Sequence, residues 1–301
     1  MTQTLCDLAS SLPGLIGIIL DRESKLKRGR FREETLTDVF VAALAAFAGP
    51  ELVIQYPHEA TTGGDLDLEF WHVETGRRIL LRLQAKRLNA LHNGDKLVSI
   101  HHRSYRELLH VVNSTGEYQF KTLVDTSGPY LPLYIFYNHA SVSADPYYAL
   151  DAPQVSGINL AFAFDIEREM QAKIDAKPSV LHHKRLSHLR PFFFELKDIL
   201  CPGSHLAGLV PTPDAVSDKL RDEWRRPRLR GRPSDDSERM LRYLSEAPSL
   251  RPSRDPRQRL PDGPAIRTSA AVERDTITFI SGRTEDERTP RIIDPRHPRR
   301  G

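Results

Sequence analysis

Cysteine is nearly missing: Cys6 and Cys201 are the only two in 301 residues, and neither sits in a C-x-x-C or other metal-ligand spacing. That argues against a structural disulfide or a zinc site and fits a reducing cytoplasm. Long apolar runs are missing too. The longest, Leu12 to Leu20, is too short to span a bilayer and contains Pro13. Asp7 precedes it and no basic segment does, which argues against a signal peptide and a membrane partner. Net charge is small: 43 Lys and Arg against 40 Asp and Glu leave +3, so no global basic field announces nucleic acid. There is no G-x-S-x-G and no G-x-x-x-x-G-K-[ST], so serine hydrolase and P-loop chemistry have no support. No internal repeat is visible. Lysine itself disappears after Lys219, while twenty arginines follow it, interleaved with Pro, Asp and Ser; such a segment can add sequence-independent affinity for phosphates.

With 39% hydrophobic and 28% charged residues, the chain can still build a core. Residues 2–22 read as a helical hairpin or one interrupted helix. From Arg32 to Ala48, Leu36, Phe40, Leu44 and Phe47 recur at three- and four-residue steps, which predicts a helix with Glu33 and Glu34 in its first turn. Leu52 to Tyr56 reads as a short strand, followed by Thr61-Thr62-Gly63-Gly64 as a turn. Asp65 to Val73 then alternates, with Asp65, Asp67 and Glu69 on one face and Leu66, Leu68 and Phe70 on the other. Glu74-Thr75-Gly76 turns the chain, and Arg77 to Leu88 returns with Arg82, Gln84 and Lys86 opposite Ile79, Leu81 and Leu83. Helix is predicted for Ile100 to Val112, at Gln119 to Val124, from Glu167 to Ala176 and around Phe192 to Leu200. Leu131 to Asn138 and Gly157 to Asp165 read as strands. Hairpin strands followed by alternating helices and strands predict an α/β sandwich with a mixed sheet. The division is one domain over residues 1–210, with N-terminal helices at 1–48 and an α/β core at 50–200. Residues 211–301 are read as an Arg/Pro-rich, mostly disordered tail, with Met240 to Leu244 and Thr276 to Ile280 as structured islands.

The chemistry sits where the two central strands bring their polar faces to one side. Breaking a phosphodiester requires neutralised charge at the phosphate and a water made nucleophilic near neutral pH. A magnesium ion on one or two carboxylates supplies both. Asp65 is the obvious ligand, with the side-chain oxygen of Gln84 and the Ala85 carbonyl beside it, and Lys86 projects from the same face to hold or deprotonate water. Asp-x-Asp-x-Glu is also what any solvated hairpin face looks like, and acids near a helix N-terminus also complement its dipole. The histidines form no chelating pair: His101 and His102 are adjacent, and His182, His183 and His188 lack helical i, i+4 spacing. With Lys184, Arg185 and Arg190 the latter three are expected on a basic surface. Tyr137, Asn138 and His139 end a strand where they could line the cleft, although aromatic strand residues are more often core.

Asp65 … Gln84-Ala85-Lys86, with an acid-bearing helix upstream, resembles the PD-(D/E)xK nuclease superfamily of restriction-endonuclease-like fold, and its Gln variant resembles the Mrr-like branch. Glu33-Glu34-Thr35-Leu36-Thr37-Asp38, Glu59-Ala60 … Gly63-Gly64-Asp65, Gln84-Ala85-Lys86-Arg87-Leu88 and Tyr134 to Asn138 also resemble an uncharacterised, mostly bacterial family of that fold, over roughly residues 5–200. The resemblance implies a three-layer α/β sandwich and Mg2+- or Mn2+-dependent endonuclease activity, acting on DNA rather than RNA. It implies metal ligation by Asp65 and Gln84, a catalytic Lys86, and a supporting acid, Glu34, with Asp67 and Glu59 as secondary candidates. The chain departs from that pattern by having Gly64 in place of a Pro before Asp65 and neutral Gln84 in place of a carboxylate.

Overall fold

The computed structural model describes residues 4–26, 31–46, 51–57, 65–90, 92–93, 96–97, 99–112, 116–150, 153–176, 185–202, 210–226, 234–245, 265–270 and 272–282. The N-terminal half runs α1 (Leu5–Glu23), α2 (Glu33–Ala45), β1 (Leu52–Pro57), β2 (Asp65–His72), β3 (Arg78–Arg87), and a small hairpin of β4 (His92–Asn93) and β5 (Lys96–Leu97). Then come α3 (Gln119–Thr126), β6 (Leu131–Tyr137), α4 (Ala140–Ser143), α5 (Pro146–Ala149), β7 (Ile158–Phe162) and α6 (Ala163–Ala176). The rest is α7 (Leu186–Leu189), β8 (Phe194–Glu195), α8 (Lys197–Leu200), α9 (Pro213–Arg225), α10 (Ser234–Ser245), β9 (Ala265–Ser269) and β10 (Asp275–Ser281).

This is a mixed α/β fold. Eight strands form one mixed sheet in the order β8-β7-β6-β3-β2-β10-β1-β9. β2 and β3 are antiparallel across the turn at Gly76, whose φ of 68° suits a residue without a side chain. β3 then runs parallel to β6, which pairs antiparallel with β7. Alternation along β2 and β3 sends Leu66, Leu68, Phe70, Ile79, Leu81 and Leu83 into the main core. Helix α2 packs on both of these strands, burying Leu36, Phe40 and Leu44 there.

Residues 5–23 form one continuous helix that accommodates Pro13. Thr4 and Asp7 close its N-terminus with a reciprocal capping box. The helix lies so close to the start of β7 that a side chain on Gly157 would sit 1.7 Å from the Pro13 carbonyl oxygen. The expectation of no disulfide is corrected here. Cys6 on α1 is bonded to Cys201, just after α8, across a separation of 195 residues, with Cα atoms 5.0 Å apart. Spacing rules read neighbouring cysteines and are blind to a pair that tertiary packing brings together. On the chain-entropy view, closing so long a loop removes about 5 kcal/mol of freedom from the unfolded chain.

Two predicted helices are also corrected. Between Ile100 and Val112 the backbone makes two short 3-10 turns, Ile100–His102 and Arg106–Leu109. Ser104 between them is held extended by bridges to Asn89 and Arg185, so tertiary pairing overrides local propensity. Near Phe192 a 3-10 turn, Arg190–Phe192, leads into edge strand β8 against β7, and the α-helix is confined to Lys197–Leu200.

The largest correction concerns the C-terminal segment. The island at Thr276 to Ile280 belongs to β10, which is interior to the sheet. It runs antiparallel to β1 and parallel to β2, separating two strands that follow each other in sequence. Ile277, Phe279 and Ile280 are fully buried. Helices α9 and α10 pack onto the same body, Trp224 against Phe162 and Phe164, and Tyr243 hydrogen-bonded to Ser127. The chain therefore does not divide at residue 210. Other tail residues, including 246–264 and 283–301, lie outside the described residues.

Candidate active site

Register builds the site. Asp65 stands opposite Gln84 in the β2–β3 pair, and Gln84 stands opposite Tyr134 in the β3–β6 pair. Directly opposed residues leave a sheet on the same face, so these three side chains form a row across three strands. Lys86 follows two positions later on that face. Arg274 immediately precedes β10, whose register aligns Asp275 with Leu66, and so comes level with Asp65.

Lys86 is held from two sides. Its Nζ lies 2.9 Å from Oε1 of Gln119, the first residue of α3, and 3.5 Å from Oε2 of Glu33, the first residue of α2. Its side chain is only 3% exposed. The other Glu33 oxygen accepts from the Arg87 backbone N–H at 3.0 Å, which fixes the carboxylate against the end of β3. Burial raises the Glu33 pKa, against the opposing pull of Lys86 and the Arg87 hydrogen bond.

Asp65 is under similar pressure. Burial raises its pKa, opposed by the charges of Arg274 and Lys86 and by a hydrogen bond with the Gln84 side chain. That bond uses the Gln84 amide as donor. The Gln84 oxygen, Oε1, is buried and has no hydrogen-bond partner, and neither does the Tyr134 hydroxyl. A buried acceptor left alone is costly, and native proteins keep few of them. Here the orphaned oxygen adjoins a carboxylate that burial makes costly to ionise. A cation would relieve both conditions.

The rest of the polar face is closed. Asp67 accepts from Arg82 through both oxygens, each bond at 2.9 Å. The Arg82 guanidinium also lies 4.4 Å from the centre of the Tyr130 ring. Glu69 accepts from Tyr130 Oη at 3.2 Å and from Thr278 Oγ1 at 3.1 Å.

The sequence-derived candidates thus separate. Asp65, Gln84 and Lys86 come together. The helix acid in contact with Lys86 is Glu33, the neighbour of the favoured Glu34. Asp67 is held by Arg82, and Glu59 lies outside the described residues. Sequence reasoning missed Gln119, Tyr134 and Arg274 as neighbours of the site. Tyr134 sits in a strand read correctly, but Gln119 and Arg274 arrive from distant segments, and no local signal announces them. Among the described residues no group of three His, Cys, Asp or Glu side chains is placed to hold a metal. His101 packs on Tyr147 and Tyr148, while His182, His183 and Lys184 lie outside the described residues. Arg190, expected on a basic surface, is 7% exposed and donates to the Pro153 and Tyr147 carbonyls. Tyr137, Asn138 and His139 are buried, the core alternative of the two that the sequence offered.

A family model matches residues 5–286, nearly the whole chain. The chain belongs to the DUF6615 family, a family of unknown function. The DUF6615 match extends well past residue 200 and takes in β9 and β10, in keeping with β10 lying inside the sheet. No curated protein and no solved structure matches the chain.

Proposed function

We propose that this protein is a magnesium- or manganese-dependent nuclease of restriction-endonuclease-like fold that hydrolyses phosphodiester bonds in DNA. The observation that carries the reading is the orphaned Gln84 oxygen beside buried Asp65, with Lys86 held on the same face. These groups fit a divalent cation by donor chemistry: one carboxylate and one amide oxygen, both hard ligands, suit a magnesium ion that keeps most of its own waters. When bound, the ion supplies Lewis acidity toward the phosphate and a water of lowered pKa.

The side chains do the rest. Asp65 and Gln84 would hold the cation. Lys86 Nζ orients the attacking water and stabilises the charge that develops on the phosphate. Gln119 and Glu33 keep that nitrogen in place, so Glu33 takes the supporting part that the resemblance gives to Glu34. Asp67 stays with Arg82 and serves the fold. A role in bacterial defence and selection of DNA over RNA follow from the resemblance alone.

The compartment proposed is the cytoplasm. No described helix is long and apolar enough to cross a membrane. The Cys6–Cys201 bond points the other way, since cytoplasmic thiol pools keep most cysteines reduced.

A second reading is favoured by the neutral Gln84 and by the lack of three clustered acids among the described residues: a catalytically silent module that binds nucleic acid or protein through the same fold. Plasmid nicking in magnesium or manganese separates the two. The nuclease reading expects wild-type cleavage that falls at least about 100-fold in Lys86→Ala. Equal DNA binding by both proteins, with no cleavage by either, supports the silent module and sinks the enzyme.

A further inference from the structure

We propose that Arg274 is the phosphate anchor of this site, its guanidinium taking a non-bridging oxygen of the phosphodiester that Asp65 and Lys86 face. The inference rests on the phosphodiester reading above and adds a substrate-binding residue that comes from the C-terminal strand.

Arg274 is only partly satisfied by its neighbours. Its Nε lies 3.7 Å from Asp65 Oδ2, an ion-pair distance without a hydrogen bond, and that Nε is buried with no partner. Its only other acidic neighbour among the described ion pairs is Glu273, at 3.9 Å, whose side chain is 86% exposed. Nearby, Arg82 meets Asp67 with two bonds of 2.9 Å. The same two residue types on the same face therefore adopt one closed and one open arrangement. A guanidinium is a planar fork of donors matched to carboxylate or phosphate oxygens. Arg274 has that fork beside a carboxylate it meets by charge without a hydrogen bond, and its side chain is still 17% exposed. Being always charged, it cannot serve as a base; it can hold an anion. The anion that reaches Asp65 and Gln84 under the proposed chemistry is a phosphodiester, and Arg274 stands level with Asp65 to receive it.

The test uses full-length protein and a short fluorescein-labelled DNA duplex in EDTA, where cleavage plays no part. Anisotropy titrations over a range of salt compare wild type, Arg274→Ala, Asp65→Asn and the double variant, each checked by thermal melting. The expected result is about tenfold weaker binding and a salt slope shallower by about one on removing Arg274, in the wild-type and in the Asp65→Asn background alike. Arg274→Lys should recover the slope and only part of the affinity, because it keeps the charge and loses the fork. If Arg274→Ala does not fold, Arg274→Lys against Arg274→Gln carries the same comparison. A loss that vanishes in the Asp65→Asn background makes Arg274 a mere neutraliser of Asp65 and overturns the proposal, as does an unchanged slope. Wild type that binds no duplex at all sinks the nucleic-acid reading and this inference together. Binding with the expected slope change but no nicking in magnesium keeps the anchor and removes only the catalysis.

Discussion

Two aspartates, Asp65 and Asp67, stand two residues apart on one face of β2, and each has an arginine for a neighbour. Asp67 and Arg82 are closed on each other by two short bonds and covered by Tyr130. Asp65 and Arg274 are near each other without a bond, beside a glutamine oxygen with nothing to accept from. Both aspartates look identical in the alternating pattern of the strand. What separates them is whether the surrounding fold completes their hydrogen bonds. A completed pair holds structure, whereas an incomplete one keeps capacity for something the fold does not supply.

That difference can be broken at its source. Ending the chain at Pro264 removes β10, and with it Arg274, Thr278 and the strand that joins β1 to β2. The expected outcome is loss of the cooperative thermal transition by circular dichroism, since an interior strand accounts for more than the roughly 5–15 kcal/mol by which a domain is stable. A truncated protein that melts like wild type would restore the division at residue 210.

Asp67→Ala should destabilise the fold by about 3–5 kcal/mol in urea denaturation, because it strands the half-buried Arg82 charge. The smallest effect has the opposite sign. Burial raises the Asp65 pKa above its ordinary 3.8, so the ionised carboxylate weakens the metal-free fold. Its favourable contribution is complete below the ordinary value and is lost as pH rises through the folded-state value. Asp65→Asn should therefore stabilise metal-free protein at neutral pH, with the gain disappearing once pH falls below the ordinary carboxylate value. Equal destabilisation by both substitutions would erase the distinction between the two pairs.

Much of this was legible in the sequence, and the limits have physical causes. Strict alternation with a Gly-containing turn gives β2, β3 and their shared polar face, because a period of two leaves a register slip no hydrophobic alternative. Asp65, Gln84 and Lys86 follow directly. The helix acid was read to within one residue, since Glu33 and Glu34 diverge by about 100° around a helix and only packing decides which faces the sheet. Arg274, Gln119 and the Cys6–Cys201 bond were illegible for another reason. Each depends on segments far apart in the chain, and β10 in particular sits in a stretch whose Arg- and Pro-rich surroundings resemble a disordered tail. A short strand over Thr276 to Ile280 was visible there; its full length, Asp275–Ser281, and its insertion between β1 and β2 were not.

The most direct measurement is a calorimetric titration of Mn2+ into wild type, Asp65→Asn and Asp67→Asn at neutral pH. One ion should bind to wild type and to Asp67→Asn, and none to Asp65→Asn. Binding that survives in Asp65→Asn, or that is lost equally in both variants, would contradict a cation site at Asp65.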